Sequence, residues 1–295
     1  MRAFLWEGRK DTKILLRFPS VALRLIAKLP LAWLHALGTV LGWALYGMSP
    51  TYRRTLRDNL RQAGYGDART RREAIASAGR MLAELPALWF RPHAEVGGLV
   101  REVLDEEQAL ASARGKPVLF LTPHLGSFEV TAQYAALRWP ITVLYRPPKI
   151  EWLAPLMREG RSRPNVSLVP ADLKGVRAMF KALQRGEAVG FLPDQVPSKG
   201  EGEWAEFFGR PAYTMTLAAK LAQRPGVACF LAYGRRLPRG RGYAIVVRPL
   251  PQKLEGESAT RRLNRALEML VRECPGQYLW SYNRYKAPKD APPPP

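Results

Sequence analysis

From Lys116 onward, apolar runs of strand length alternate with stretches of helical pattern, and few folds satisfy that alternation. Strands are expected at Val118–Leu121, Ile141–Tyr145, Val166–Val169, Ala188–Leu192, Val227–Ala232 and Tyr243–Val247. Helices fit between most of them, at Phe128–Leu137, Trp152–Arg158, Leu173–Gln184 and Thr214–Gln223, with Ala259–Glu273 following. Asp172 is placed to cap the third of these and Gly186 to end it. The pattern predicts an α/β fold, a mostly parallel central sheet flanked by helices, with its last strands forming a hairpin. Sites in such sheets gather beyond the carboxyl ends of the strands. His124, Arg146 and Asp194 each follow closely on a predicted strand.

The stretch Pro117 to Glu129 carries the most chemistry. Its apolar run should stop at Thr122-Pro123, because proline has no N–H for a ladder. Gly126 and Ser127 read as a turn and a helix N-cap. His124 therefore stands in a loop, and Glu129 in the first turn of the next helix. In one continuous helix a five-residue step would turn the two side chains about 140° apart. A loop histidine can instead fold back onto the carboxylate, which would fix its tautomer and stabilise the imidazolium. The helix N-terminus favours ionised Glu129. The same spacing also fits a loop histidine beside an ordinary first-turn glutamate, since so short a pattern recurs by chance.

Upstream, residues 1 to 28 mix apolar and basic side chains, among them Phe4, Leu5, Trp6, Arg9, Lys10, Lys13, Arg17, Arg24 and Lys28. Leu29 to Pro50 contains no Lys, Arg, Asp or Glu and is long enough to span a bilayer. Arginines crowd both flanks, with Arg53, Arg54 and Arg57 just beyond, so neither side reads as outside. The expectation is a helix or helix pair embedded in one leaflet; a helix buried against the main domain is the alternative. Arg53 to Gly64 reads as a basic amphipathic turn, Ala68 to Phe90 as a helix interrupted at Pro86, and Val100 to Arg114 as a further helix.

The net charge of +21 implies anionic partners: nucleic acid, an anionic membrane or an acidic protein. Cys229 and Cys274 are far apart and indicate neither a disulfide framework nor a nucleophile. The three histidines lack ligand-like neighbours, so neither a metal nor another cofactor is expected.

Three further clusters bear on function. Arg158, Arg161 and Arg163, with Arg146 upstream, offer planar guanidinium groups that suit phosphates and a developing oxyanion; a solvated basic helix end would look the same. Asp194 and Gln195 open a polar loop, where Asp194 orients an arginine or a hydroxyl or merely caps a turn. Shortly after them in the same cluster, Phe207 and Phe208 beside Gly209 suggest a wall for an apolar ligand. In the last cluster the aromatics Tyr278, Trp280 and Tyr282 close the core, while Arg284 and Lys286 can face anions.

Thr122-Pro-His124-x4-Glu129, Tyr145-Arg-Pro, Gly160-Arg161-x-Arg163, Asp172-Leu-Lys-Gly175, Pro193-Asp194-Gln195, Phe207-Phe-Gly209, Gln277-Tyr-x-Trp280 and Arg284-Tyr-Lys286 form an ordered set from about residue 25 to 288. In that order and spacing the chain resembles the late acyltransferases of lipid A biosynthesis, within the lysophospholipid acyltransferase superfamily. Glu129 stands where the wider superfamily often has Asp. Leu-Pro-Asp-Gln replaces the Phe-Pro-Glu-Gly box of glycerophosphate acyltransferases, which argues against a glycerolipid acceptor.

The resemblance implies acyl transfer from an acyl carrier protein thioester to an anionic lipid A precursor, at the cytoplasmic face of a bacterial inner membrane. His124 would deprotonate the acceptor hydroxyl, Glu129 would hold His124, and Arg158 or Arg161 would stabilise the oxyanion or grip phosphates. It fits a division into membrane-associated helices at 1–60, an acyltransferase domain at 61–287 and a disordered proline-rich tail at 288–295. A same-superfamily enzyme with another glycolipid, aminolipid or lysophospholipid acceptor is the nearest alternative. A basic nucleic-acid-binding protein is the alternative from another class, but no recognition motif supports one, and no nucleic-acid partner is expected.

Overall fold

A computed structural model describes residues 20–148, 150, 152–197, 200–289 and 291–295. The basic and aromatic residues expected to matter before position 20, and Lys199 in the polar loop, lie outside the described residues.

The centre is a seven-stranded sheet in the order β1-β9-β8-β2-β5-β3-β4. Its strands are β1 (Val100–Leu104), β2 (Val118–Leu121), β3 (Ile141–Tyr145), β4 (Val166–Pro170), β5 (Ala188–Phe191), β8 (Ala228–Arg236) and β9 (Tyr243–Pro249). β8 through β4 run parallel; β9 turns back against β8 as the predicted hairpin, and β1 lies parallel to β9. A separate hairpin is formed by β6 (Gly202–Phe207) and β7 (Arg210–Met215). Its two-residue turn places Phe208 at φ 48° and Gly209 at φ 74°, the left-handed pair that such a connection requires.

Helices cover both faces of the sheet. β2 is apolar throughout because both its faces are buried. Leu119 and Leu121 face a cluster built on α10 (Leu173–Gln184), α11 (Thr216–Ala222) and α12 (Ala259–Glu273). Phe120, on the other side of the pleat, faces α8 (Phe128–Ala135) and α5 (Leu85–Phe90). α7 (Glu106–Ala113) and α9 (Leu153–Arg161) complete the connections between strands, and α6 (His93–Gly98) leads into β1.

Two expectations need correction. Val100 to Arg114 is not one helix. Its first residues pair with β9, which leaves Arg101 and Glu102 exposed at the sheet margin; the helix starts only at Glu106. Arg53 to Gly64 is more than a turn: α3 (Pro50–Gln62) is a full helix, capped by Ser49 through the Tyr52 N–H and begun by proline.

At the N-terminal side, residues 20–27 are helical (α1) and precede α2 (Leu31–Met48) and α4 (Ala68–Ala83). α2 is long and apolar enough to cross a membrane, which is consistent with membrane association. Glycines set its contact with α4. A Cβ on Gly79 would lie 1.8 Å from the Gly38 carbonyl oxygen, and one on Gly42 would lie 2.2 Å from that of Ile75. Near the C-terminus, the Trp204 indole donates to the Pro292 carbonyl at 2.7 Å.

Candidate active site

Two adjacent parallel strands create the site. β2 and β5 pair with Leu121 opposite Phe191, and each strand then runs three residues to a polar side chain, His124 and Asp194. The register therefore delivers both side chains to the same level beyond the carboxyl edge of the sheet. The Asp194 carboxylate accepts from His124 Nδ1 at 2.9 Å and, through its other oxygen, from the His124 backbone N–H at 2.9 Å. Burial pushes the Asp194 pKa up. The charge and hydrogen bonds of His124, with Arg284 beyond, outweigh it and hold the carboxyl below its ordinary range. An ionised Asp194 keeps the proton of a neutral imidazole on Nδ1, which leaves Nε2 as an acceptor. Gln195 Nε2 sits 3.2 Å from it and can supply the hydrogen bond.

The loop carrying His124 is fixed on several sides. Gly126 has φ 59°, and a Cβ there would lie 2.1 Å from the Gly234 carbonyl oxygen, so the approach of loop to β8 requires glycine. Ser127 donates its N–H to Gly234 at 2.7 Å, and Gly126 donates to Gln277 at 2.9 Å. From below, buried Arg236 donates to the Gly126 carbonyl at 2.8 Å while gripping Glu84 through two nitrogens at 2.9 and 2.7 Å. His35 of α2 reaches the same Glu84 at 3.1 Å. Burial alone would raise the Glu84 pKa, but Arg236 and His35 bring it down to about 2.

Glu129, expected to hold His124, has other hydrogen-bond partners in this structure. Its buried carboxylate meets Arg161, with Nε at 3.0 and 3.1 Å from its two oxygens and Nη2 closer still, and accepts from the Trp89 indole at 3.3 Å. The first turn of α8 thus aims the glutamate at α5 and α9, while the neighbouring strand end supplies the acid that holds His124. Burial works against the Arg161 charge, but Glu129 raises its pKa above the ordinary arginine value.

An apolar cavity opens between α8 and the sheet. Phe120, Trp139, Ile141, Val143, Leu168 and Ile245 are among its walls. Thr122, Phe128, Glu129 and Arg161 line it near the start of α8, and Glu106 and Tyr134 line it near that helix's end. The Phe128 ring, part of the cavity wall at the Arg161 end, lies 4.8 Å from the His124 ring, centroid to centroid.

The remaining predicted residues divide. Arg163 donates to Gln133 and to the carbonyls of Leu88 and Trp89, tying α9 to α5 and α8; burial lowers its pKa. Arg146 and Arg158 are exposed, the first just past β3 and the second on α9. Phe207 and Phe208, expected to wall a ligand, are buried in the core with Tyr278 and Trp280 because the β6–β7 hairpin folds inward on them. Arg284 is buried and donates from Nη1 to the Tyr213 carbonyl and from Nη2 to Thr214 Oγ1 and Asn264 Oδ1. Lys286 is exposed over the Tyr282 ring. Trp89 and Arg236 position the site but carry no signal as site residues, since each is recruited from a distant part of the chain; Gln133 lies one helical turn beyond Glu129 on α8, and Gln277 belongs to the ordered motif set without a role read for it. Among the described residues no cluster of three metal-ligating side chains occurs.

Comparison with known proteins completes the assignment. The lipid A biosynthesis lauroyltransferase of Escherichia coli (strain K12) is 27% identical over 217 residues, covering 71% of this chain and 69% of that protein. The palmitoleoyltransferase of lipid A biosynthesis from the same organism is 27% identical over 224 residues, 72% of this chain and 70% of its own. A lipid A biosynthesis acyltransferase of Haemophilus influenzae (strain ATCC 51907 / DSM 11121 / KW20 / Rd) is 26% identical over 234 residues, 74% and 70% of the two chains. The family described as bacterial lipid A biosynthesis acyltransferase matches residues 2–287, and the chain belongs to that family of acyl-transferring enzymes.

Proposed function

We propose that the protein moves a fatty acyl chain from an acyl carrier protein thioester to a hydroxyl of a lipid A precursor, at the cytoplasmic face of the inner membrane. The observation that carries this reading is the His124–Asp194 pair, with Nε2 turned from the acid and the imidazole packed on Phe128 of an apolar cavity's wall.

The acceptor hydroxyl replaces Gln195 as the partner of Nε2. His124 takes its proton as the oxygen attacks the thioester carbonyl. Asp194 holds the ring and stabilises the imidazolium. The tetrahedral oxyanion then collapses, and the departing thiolate regains a proton from His124. Arg161, fixed by Glu129 at the end of the cavity, is the cation for the oxyanion or for an acceptor phosphate. Arg158 and Arg146 add positive charge at the rim. The acyl chain lies in the cavity beneath α8.

Attack is direct, with no acyl-enzyme. Burial pushes the Cys229 thiol up to about 12 and the Cys274 thiol up to about 11, so both stay protonated at neutral pH. The net charge of +21 suits an acidic carrier protein and an anionic acceptor.

Purified enzyme, acyl carrier protein thioesters and a panel of acceptors test this reading. Transfer to a lipid A precursor, lost in His124→Ala and kept in Cys229→Ala and Cys274→Ala, is expected. Transfer to another glycolipid or a lysophospholipid instead would replace the acceptor. Loss of transfer in a cysteine variant that still folds would replace the mechanism.

A further inference from the structure

We infer that α2 does not cross the membrane: α1 and α2 lie in the plane of one leaflet, and the arginine face of α3 binds the phosphates of anionic lipids there. This concerns how the chain meets a lipid surface and stands whether or not the acyl donor and acceptor are those proposed above.

α2 has two faces along its whole length. Leu34, His35, Gly38 and Gly42 point at the protein. Trp33, Leu37, Val40 and Met48 form a stripe on the opposite side and are exposed, Trp33 by 69%, Val40 by 65% and Met48 by 76%. The stripe runs over fifteen residue steps, about 22 Å at roughly 1.5 Å per residue. Val21 and Leu25 of α1 are exposed as well.

The protein-facing side forbids a crossing. Thr39 Oγ1 accepts from Arg80 Nε at 3.0 Å, His35 meets Glu84 at 3.1 Å, and Trp43 shares a groove with Arg72 and Glu73. A spanning α2 would carry these charges, and the Glu84–Arg236 pair behind them, into hydrocarbon, or else would peel off α4. Lying flat, the same helix sinks its outer stripe about 5–10 Å into the headgroup and acyl boundary and leaves α4 in water.

Charge identifies the lipid. Arg53, Arg54, Arg57 and Arg61 line one groove on α3 with a single carboxylate, Asp58. α3 follows α2 after one residue, and Arg53 Nη1 reaches back to the carbonyls of Tyr46 and Gly47, both at 3.4 Å. Guanidinium groups at the end of an embedded apolar stripe match lipid phosphates. The surface also adjoins the catalytic end of the molecule. Arg24 of α1 pairs with Glu159, two residues before Arg161, and Arg91 donates to the Ala27 carbonyl at 2.7 Å.

Depth measurements on the full chain test the geometry. Nitroxides are placed singly at Trp33→Cys, Val40→Cys and Met48→Cys in a Cys229→Ala/Cys274→Ala background, with vesicles of phosphatidylethanolamine and phosphatidylglycerol. Equal, shallow depths at all three positions are expected. A gradient, with Val40 near the bilayer centre and Trp33 and Met48 toward opposite surfaces, overturns the in-plane helix. So does full exposure of every label to an aqueous relaxant. For the arginines, Arg54→Gln/Arg57→Gln/Arg61→Gln should weaken flotation with these vesicles about 100-fold, at about fivefold per basic residue, with an unchanged melting temperature. Wild-type affinity in that variant, or equal wild-type binding to neutral phosphatidylcholine vesicles, rules out the headgroup groove.

Discussion

At the scale of single residues, the division of labour between two carboxylates is what distinguishes this site. Asp194 receives both the ring and the backbone of His124, whereas Glu129 is committed to Arg161 and Trp89. Asp194→Asn should therefore lower kcat by about two to four orders of magnitude with little change in KM, because it removes the charge that stabilises the imidazolium. Steady-state kinetics with the folded variant check this. Glu129→Gln and Arg161→Gln belong to one interaction, so their losses in kcat/KM should not add. A double-mutant cycle reads the coupling. Additive losses from that pair, with a small effect of Asp194→Asn, would return Glu129 to the histidine.

Among the elements, two contacts set function. The first is the crossing of α2 on α4. Any side chain at Gly79 drives the helices apart, since its first carbon would overlap the Gly38 carbonyl. Gly79→Val should destabilise the fold by about 1–3 kcal/mol or more, read as a lowered denaturation midpoint, and should weaken vesicle binding with it. The second is α8 over the sheet. Ala132 faces the apolar cavity from that helix. Ala132→Phe should fill the space proposed for the acyl chain and shift preference to shorter chains, measured by mass spectrometry of products from a thioester series. An unchanged chain preference would place the acyl chain elsewhere.

The whole molecule is tied together by one buried cluster. Glu84 of the segment between α4 and α5 meets His35 of α2, Arg236 of β8 and Tyr243 of β9, and Arg236 continues to the loop of His124. The Glu84 carboxyl titrates at about 2 when folded, against an ordinary value of 4.5. The unfolded chain therefore binds this proton first as pH falls. The stability it provides is complete above pH 4.5 and is lost between pH 4.5 and about 2. Denaturant midpoints measured down this range should fall for the wild type and fall less steeply for Glu84→Gln. Because the cluster joins α2 to the loop of His124, acid should loosen both together.

The alternation after Lys116 was enough to place six strands and the helices between them, because a strand buried on both faces must be apolar throughout and a helix covering it must repeat near 3.6 residues. It also located His124 and Asp194, each just past a strand end. Local pattern could not show β1, whose Arg101 and Glu102 look outward from the sheet margin, or the β6–β7 turn, which sets Phe208 in a left-handed conformation that few phenylalanines adopt. Nor could it say which acid meets the imidazole. His124 and Glu129 are five residues apart along the chain, while His124 and Asp194 are seventy. Strand order brings the distant acid closer than the near one, since hydrogen-bonded neighbours in a sheet lie about 4.8 Å apart whatever chain intervenes. Residue types and periodicity thus determined the layers and the candidate groups; strand pairing and helix packing decided the partners.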